Sequence, residues 1–176
     1  MIELVTVVAI VGLMLAIVAP RFRVSEAMEV QIAARQLAQD LDFARTRALA
    51  TRSPVRIAFD IGGRSYAGYR DHDDDGTISQ TPAERQALQG FGLRELTERI
   101  EYERGGVPEV PGVASGGAIT FPDYHVDFDA RGLSVPIGTS GAVYLRHKVK
   151  QDRVAAVTVT AAGNVRVWTW RDGVWQ

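Results

Sequence analysis

The chain has 176 residues, enough for one domain with a real core plus an appendage. Its hydrophobic fraction of 46% is ordinary for a globular protein, so any membrane signal is local, and the lack of cysteine excludes disulfides, thiolate metal sites and thiol nucleophiles. The net charge of -1 is uneven: residues 1–52 carry six Arg against five acidic residues, residues 53–130 seven Arg against fourteen, and residues 131–176 seven Lys and Arg against two.

The first element, Met1 to Ala19, is almost wholly apolar and ends at Pro20-Arg21. As a helix it is about 28 Å long, close to the ~30 Å hydrocarbon core of a bilayer. Nothing basic precedes the run, and Ala-Pro-Arg-Phe is a poor cleavage site, so the features of a secretory signal peptide are missing. A buried helix of a soluble fold rarely reads apolar on every side for this length. Residues 1–20 are therefore expected to form a transmembrane helix. Glu3 is expensive there, about 2.5–3.5 kcal/mol at a helix centre on insertion scales; it either serves a function or snorkels to the headgroups. Arg21 and Arg23 taken alone favour their own side as the cytoplasmic one.

Residues 21–52 are rich in Ala, Leu, Gln, Glu and Arg, all good helix formers. Apolar Ala27, Met28, Leu37, Leu41, Ala44 and Ala48 recur at three- and four-residue spacing and predict a stripe facing a core. With Pro20 tolerated as a kink, the expectation is one long helix, apolar in its first half and amphipathic in its second. After Arg52-Ser53-Pro54 the period changes. "PVRIAFD", "RSYAGYR", "AVYLRHK", "DRVAAVTVT" and "GNVRVWTW" read as strands, with turns at Gly62-Gly63, Ala130–Gly132 and Ala161–Gly163. "ELTERIEYE" has helix-forming composition but strand alternation, and "GGVPEVPGVASGG" reads as a long surface loop. The expected architecture is α+β: the long N-terminal helix packed on a head, residues 53–176, of two antiparallel β-sheets.

These features resemble the class III signal proteins, the type IV pilins and the pseudopilins of type II secretion. Members begin their mature chain with Phe and a run like "TLIEL", with a proline seventeen residues after the glutamate. Here Ile2-Glu3-Leu4 and Pro20 match that run at one offset. The resemblance implies that Met1 lies two residues inside the family's mature N-terminus, through a misassigned start or trimming. A basic leader, a prepilin peptidase site and a methylated Phe would belong to the full-length precursor. It also implies a role for Glu3: neutralising the N-terminal amine of a neighbouring subunit as the filament grows. The head resembles the GspH/FimT type of minor pseudopilin through "LAQDLDFARTRALATRSPVRIAFD", "VDFDARGLS" and "RVAAVTVTAAGNVRV". The resemblance, closest to GspH, implies a structural, non-enzymatic minor pseudopilin of type II secretion, at or near the pseudopilus tip. It would be single-pass in the inner membrane with a periplasmic head and other pseudopilins as partners. The alternative is a FimT-like minor type IV pilin that binds DNA during uptake.

Three groups are candidate sites. "DHDDDGTI" places Asp71, Asp73 and Asp75 at positions one, three and five of a calcium loop, with Gly76 at six and Ile78 at eight. Position twelve is Pro82, so a bidentate acid would have to be recruited from Glu84; the bland reading is a solvated acidic hairpin tip. For catalysis, His72, His125 and His147 are scattered, Gly138–Ala142 lacks the residues of a nucleophile elbow or P-loop, and Asp123, Asp127 and Asp129 read as the solvent face of a strand. No enzyme and no cofactor other than calcium are expected. The basic tail offers Lys148, Lys150, Arg166 and Arg171, with Trp168 and Trp170 nearby as stacking platforms for nucleic acid. The DNA-linked branch carries Gly-Arg-x-Arg; Gly163-Asn164-Val165-Arg166 lacks the first arginine, and a solvated basic face is the simpler expectation.

Overall fold

The computed structural model describes residues 2–18 and 25–176, with side chains described from Glu3 to Met14 and from Ser25 onward. Helix α1 covers Ile2–Val18 and helix α2 covers Glu26–Thr51. The 17 residues of α1 rise about 26 Å. No helix among the described residues is long and apolar enough to cross a membrane. The expected kink at Pro20, and with it Arg21 and Arg23, lies outside the described residues.

Capping chemistry sets the ends of α2. Ser25 is the N-cap, its Oγ accepting the Met28 N–H at 3.3 Å, and Glu26 and Glu29 occupy the first turn, where the helix dipole favours negative charge. The helix stops at Arg52 in the left-handed region, before a proline that disfavours continuation. The buried stripe is Val30, Ala34, Leu37, Leu41, Ala44 and Ala48. It does not include Met28, which is exposed, because two residues at 100° each place Met28 on the side opposite Val30.

Among the described residues, ten strands form two antiparallel sheets. The first has the order β3 (Arg94–Glu95), β2 (Ser65–Arg70), β1 (Val55–Asp60), β5 (His125–Phe128), β6 (Ser134–Val135). The second has the order β10 (Val174–Trp175), β9 (Val165–Arg171), β8 (Val154–Val159), β7 (Gly141–His147), β4 (Ile100–Tyr102). The ambiguous "ELTERIEYE" thus divides between two sheets and supplies an edge strand to each. One helix went unexpected. Helix α3 (Pro82–Ala87) starts from a capping box, Thr81 Oγ1 taking the Glu84 N–H while Glu84 takes the Thr81 N–H.

Helix α2 packs on β7, β8 and β9 of one sheet and on β1 of the other. Leu37 and Leu41 are fully buried in one core with Ile57, Leu145 and Val157, each such side chain worth about 1.5–3 kcal/mol of burial. A smaller cluster covers the outer face of the second sheet: Val110, Ala142, Tyr144 and Ala156, with Trp168 and Trp175 against it. The segment expected as a free surface loop is therefore a strap. Val110 is buried and donates its N–H to the Tyr144 hydroxyl at 3.0 Å, and the Trp175 indole donates to the Pro108 carbonyl at 3.0 Å. Val110 and Val113 of the strap have a sheet face to cover, and that wins over the local Gly/Pro content.

Candidate functional site

Glu3 stands in the first turn of α1 with its side chain exposed, and it is the only charged residue of that helix. Leu4, Val7, Val8, Val11 and Met14 are exposed around it. A carboxylate on an exposed apolar helix is costly to take out of water unless a cation pairs with it.

The acidic segment leaves β2 and turns sharply. Asp71 is 1% exposed, while Asp73 and Asp75 are exposed, and each of the three brings an oxygen within 4.8 Å of the other two. Asp71 Oδ2 accepts the Gly76 N–H at 2.8 Å, with Gly76 at φ 82°, a conformation glycine adopts without strain. Asp71 Oδ1 is buried and receives no hydrogen bond. Glu84 lies apart from this group. It is 5% exposed and both its oxygens are occupied, Oε1 by the Ser79 N–H and Oε2 by the Thr81 N–H, each at 3.0 Å. The capping box of α3 holds the acid that the loop would have had to recruit.

The basic tail divides in two. Lys148 and Lys150 are exposed in the turn from β7 to β8, and Arg171 ends β9 at the same end of the second sheet, beside the first turns of α2. Arg166 lies at the opposite end, five residues and about 17 Å along the strand from Arg171. Its guanidinium sits 4.4 Å over the Trp168 ring, and the Trp168 indole donates to Thr158 Oγ1 at 3.0 Å. Trp170 packs edge-on to Trp175 at 5.3 Å. Trp168 and Trp170 are half-buried and pack against the strap and the C-terminal hairpin rather than standing free as stacking platforms.

Beside Arg166 is an arrangement that sequence reasoning missed. Arg45 of α2 donates through Nε to the Gly132 carbonyl at 3.1 Å, through Nη2 to the Ala162 carbonyl at 3.2 Å and through Nη1 to Asn164 Oδ1 at 3.3 Å. It ties the helix to the β5–β6 and β8–β9 turns at once. Gly163 makes that approach possible: its φ is 77°, and a Cβ there would collide with the Gly132 carbonyl oxygen.

The remaining carboxylates and histidines serve the fold. Arg56 of β1 pairs with Asp127 of β5 through two 2.7 Å bonds, and the Asp127 carboxylate raises the Arg56 pKa. Asp129 accepts the N–H groups of Arg131 and Leu133; burial raises its pKa, but these bonds and the Arg131 guanidinium outweigh it and hold the carboxyl below its usual range. Asp123 and His72 are exposed. His125 is half-buried, 3.8 Å from Asp127, whereas His147 is buried, with Nδ1 accepting the N–H groups of Val149 and Lys150 and Nε2 3.5 Å from Glu29. A further buried acid, Asp40 of α2, accepts the Tyr66 hydroxyl at 2.7 Å and lies 3.4 Å from Arg94.

A helix on two such sheets can be compared with known proteins. The family model described as type II transport protein GspH matches residues 33–163. The chain belongs to the GspH family. Comparison with curated protein sequences gives no match. Among solved structures, the chain is similar to the minor pseudopilin EpsH of the Vibrio cholerae type 2 secretion system. One EpsH structure aligns with a TM-score of 0.53 at 18% identity, covering 81% of this chain and 95% of that one. A second EpsH structure gives 0.53 at 16%, covering 80% and 97%. The type IV minor pilin FimU of Pseudomonas aeruginosa aligns at 0.50 and 17%, covering 84% and 92%. At these identities the likeness is one of fold. The GspH match takes in Arg45, Gly132, Gly163 and the acidic segment, and stops before Asn164 and Arg166. In this GspH-family head, the glycine of the tail motif is explained by the turn-to-turn contact.

Proposed function

We propose that this GspH-family protein is a structural minor pseudopilin of a type II secretion system, held in the inner membrane by residues 1–20 with its head in the periplasm. The observation that carries the reading is α1: seventeen residues with a single charge, Glu3, and apolar side chains exposed around the helix. Such a surface requires a partner, either lipid or the α1 helices of neighbouring subunits. The cations Lys148, Lys150, Arg153 and Arg171 support it, exposed at the end of the head nearest the start of α2, where they fit anionic headgroups. Precursor cleavage by a prepilin peptidase belongs to the same reading.

Glu3 is then an assembly residue: its carboxylate and the N-terminal amine of the next subunit lower each other's desolvation cost in the membrane. The test is site-specific crosslinking through α1 in cells that carry the other pseudopilins. Glu3→Ala is expected to insert normally and to lose crosslinks to neighbours; undiminished crosslinking removes the assembly role. A second reading, a minor type IV pilin, is favoured by the likeness to FimU. Deletion in the source bacterium separates the two. Loss of exported proteins with intact pili supports the pseudopilin, and loss of pili with normal secretion supports the pilin.

A further inference from the structure

We propose that Asp71, Asp73 and Asp75 form a calcium site that ties the start of the segment after β2 into a fixed turn. Two independent observations meet there. The first is convergence: three carboxylates each present an oxygen within 4.8 Å of the other two. Calcium binds oxygen at about 2.3–2.6 Å, so small shifts of the exposed Asp73 and Asp75 side chains bring all three within reach of one ion. The second is the state of the innermost ligand. Asp71 is 1% exposed, its Oδ2 has a single donor, the Gly76 N–H, and its Oδ1 is closed to solvent with no donor at all. Among the described residues no lysine, arginine or histidine pairs with it. A buried carboxylate normally has donors for both oxygens or a cation beside it. Here the buried carboxylate without a cation is the one that meets Asp73 and Asp75, and a cation held among the three offsets its charge.

The donor set selects the ion. It is all oxygen and anionic, which suits a hard cation rather than zinc or copper, and it offers no nitrogen or sulfur. Magnesium demands a near-ideal octahedron and gives up water reluctantly, whereas calcium accepts irregular shells of six to eight oxygens. The protein supplies only part of such a shell. Pro82 stands at position twelve, and Glu84 is committed to the Ser79 and Thr81 N–H groups. Water completes the rest, which places the affinity with the weak extracellular sites, on the order of 10⁻⁴–10⁻³ M. Both flanks of the site are already tied to β1 or the residue before it: the Asp71 N–H donates to the Pro54 carbonyl at 3.4 Å, and Arg56 donates to the Ile78 carbonyl at 3.0 Å. Calcium therefore stiffens a loop of the head rather than moving one domain against another. The site stands apart from the proposed role in secretion and does not depend on it.

The full chain, purified in mild detergent and stripped with chelator, is titrated with calcium chloride by calorimetry and melted in about 10 mM calcium, some ten- to hundredfold above the expected Kd. One-site binding and a higher melting temperature in calcium than in chelator are expected. Asp73→Asn with Asp75→Asn, both at exposed positions, is expected to weaken binding at least tenfold and abolish the shift while the chelator melt stays in place. Asp71→Asn reports on the buried charge: it is expected to melt higher than wild type in chelator and to lose the calcium response. Absence of binding heat, an equal shift with magnesium, or a shift that survives Asp73→Asn with Asp75→Asn overturns the proposal.

Discussion

Replacing Gly163 by alanine tests whether the turn-to-turn contact organises this end of the head. Two costs add. The left-handed backbone, φ 77°, costs an alanine about 1–2 kcal/mol. The new Cβ would also collide with the Gly132 carbonyl oxygen and approach Arg45 Nε to 2.9 Å, so the β5–β6 and β8–β9 turns must separate. That separation breaks the Arg45 bonds to the Gly132 and Ala162 carbonyls. They are partly exposed, so solvent screening takes them below the charge-assisted range, to about 1–1.5 kcal/mol each. The sum is roughly 3–5 kcal/mol. Gly76→Ala is the control, because Gly76 has φ 82° and nothing within 4 Å of the added methyl, leaving about 1–2 kcal/mol of backbone strain alone. Urea unfolding of the full chain in detergent and chelator gives both values. An Arg45→Ala background should shrink the Gly163→Ala cost by the share carried by the hydrogen bonds. Equal costs for the two glycine variants would refute the contact as the reason for a glycine at 163.

Two further outcomes follow from the charged and titratable groups of the head. Burial raises the pKa of Tyr66, helped by its hydroxyl bond to Asp40, and burial also raises that of Tyr102, helped by the Asp60 charge. The folded state thus holds these protons more tightly than the unfolded one. Stability is full below about pH 10 and falls above it, by up to about 1.4 kcal/mol per pH unit for each tyrosine. Urea midpoints at about pH 9 and 11 measure this, Tyr102→Phe should remove one share of the slope, and a flat profile contradicts it. Duplex DNA at about 50 mM salt is expected not to bind the chain, because Arg166 is separated from Lys148, Lys150 and Arg171; micromolar binding abolished by Arg166→Ala would promote a DNA-binding pilin.

Much of the architecture was legible because its signals are local. The buried stripe of α2, the Gly62-Gly63 turn and five of the strands are each written within a few consecutive residues. Helix α3 was legible too: Thr81-Pro82-Ala83-Glu84 spells a capping box with proline at the first helical position. In sequence Glu84 fits a metal ligand as well as a capping residue, and the fold uses it as the cap. Other features could not be read, since their partners are distant in the chain. Val110 looks like a loop residue until Tyr144, 34 residues on, meets its N–H. Asp40 breaks the apolar pattern of α2 and is buried all the same, because Tyr66 on β2 donates to it.

The tail motif shows why a short pattern underdetermines a role. Gly163 and Arg166 fit a motif linked to DNA, and Asn164 departs from it. The departure has a structural counterpart: Asn164 Oδ1 accepts from Arg45, whose other donors hold the two turns together. An arginine at 164 would set a second guanidinium beside the first, where like charges repel and an acceptor is lost. In this chain the two turns touch through a backbone carbonyl, and that contact requires the glycine whatever side chain follows. Architecture explains Gly163, and the residue that distinguishes the roles is its neighbour. Asn164 is a donor's partner within this head, so the chemistry at that corner is spent on holding α2 to the sheets, with Arg166 capping Trp168 rather than reaching outward in company with other cations.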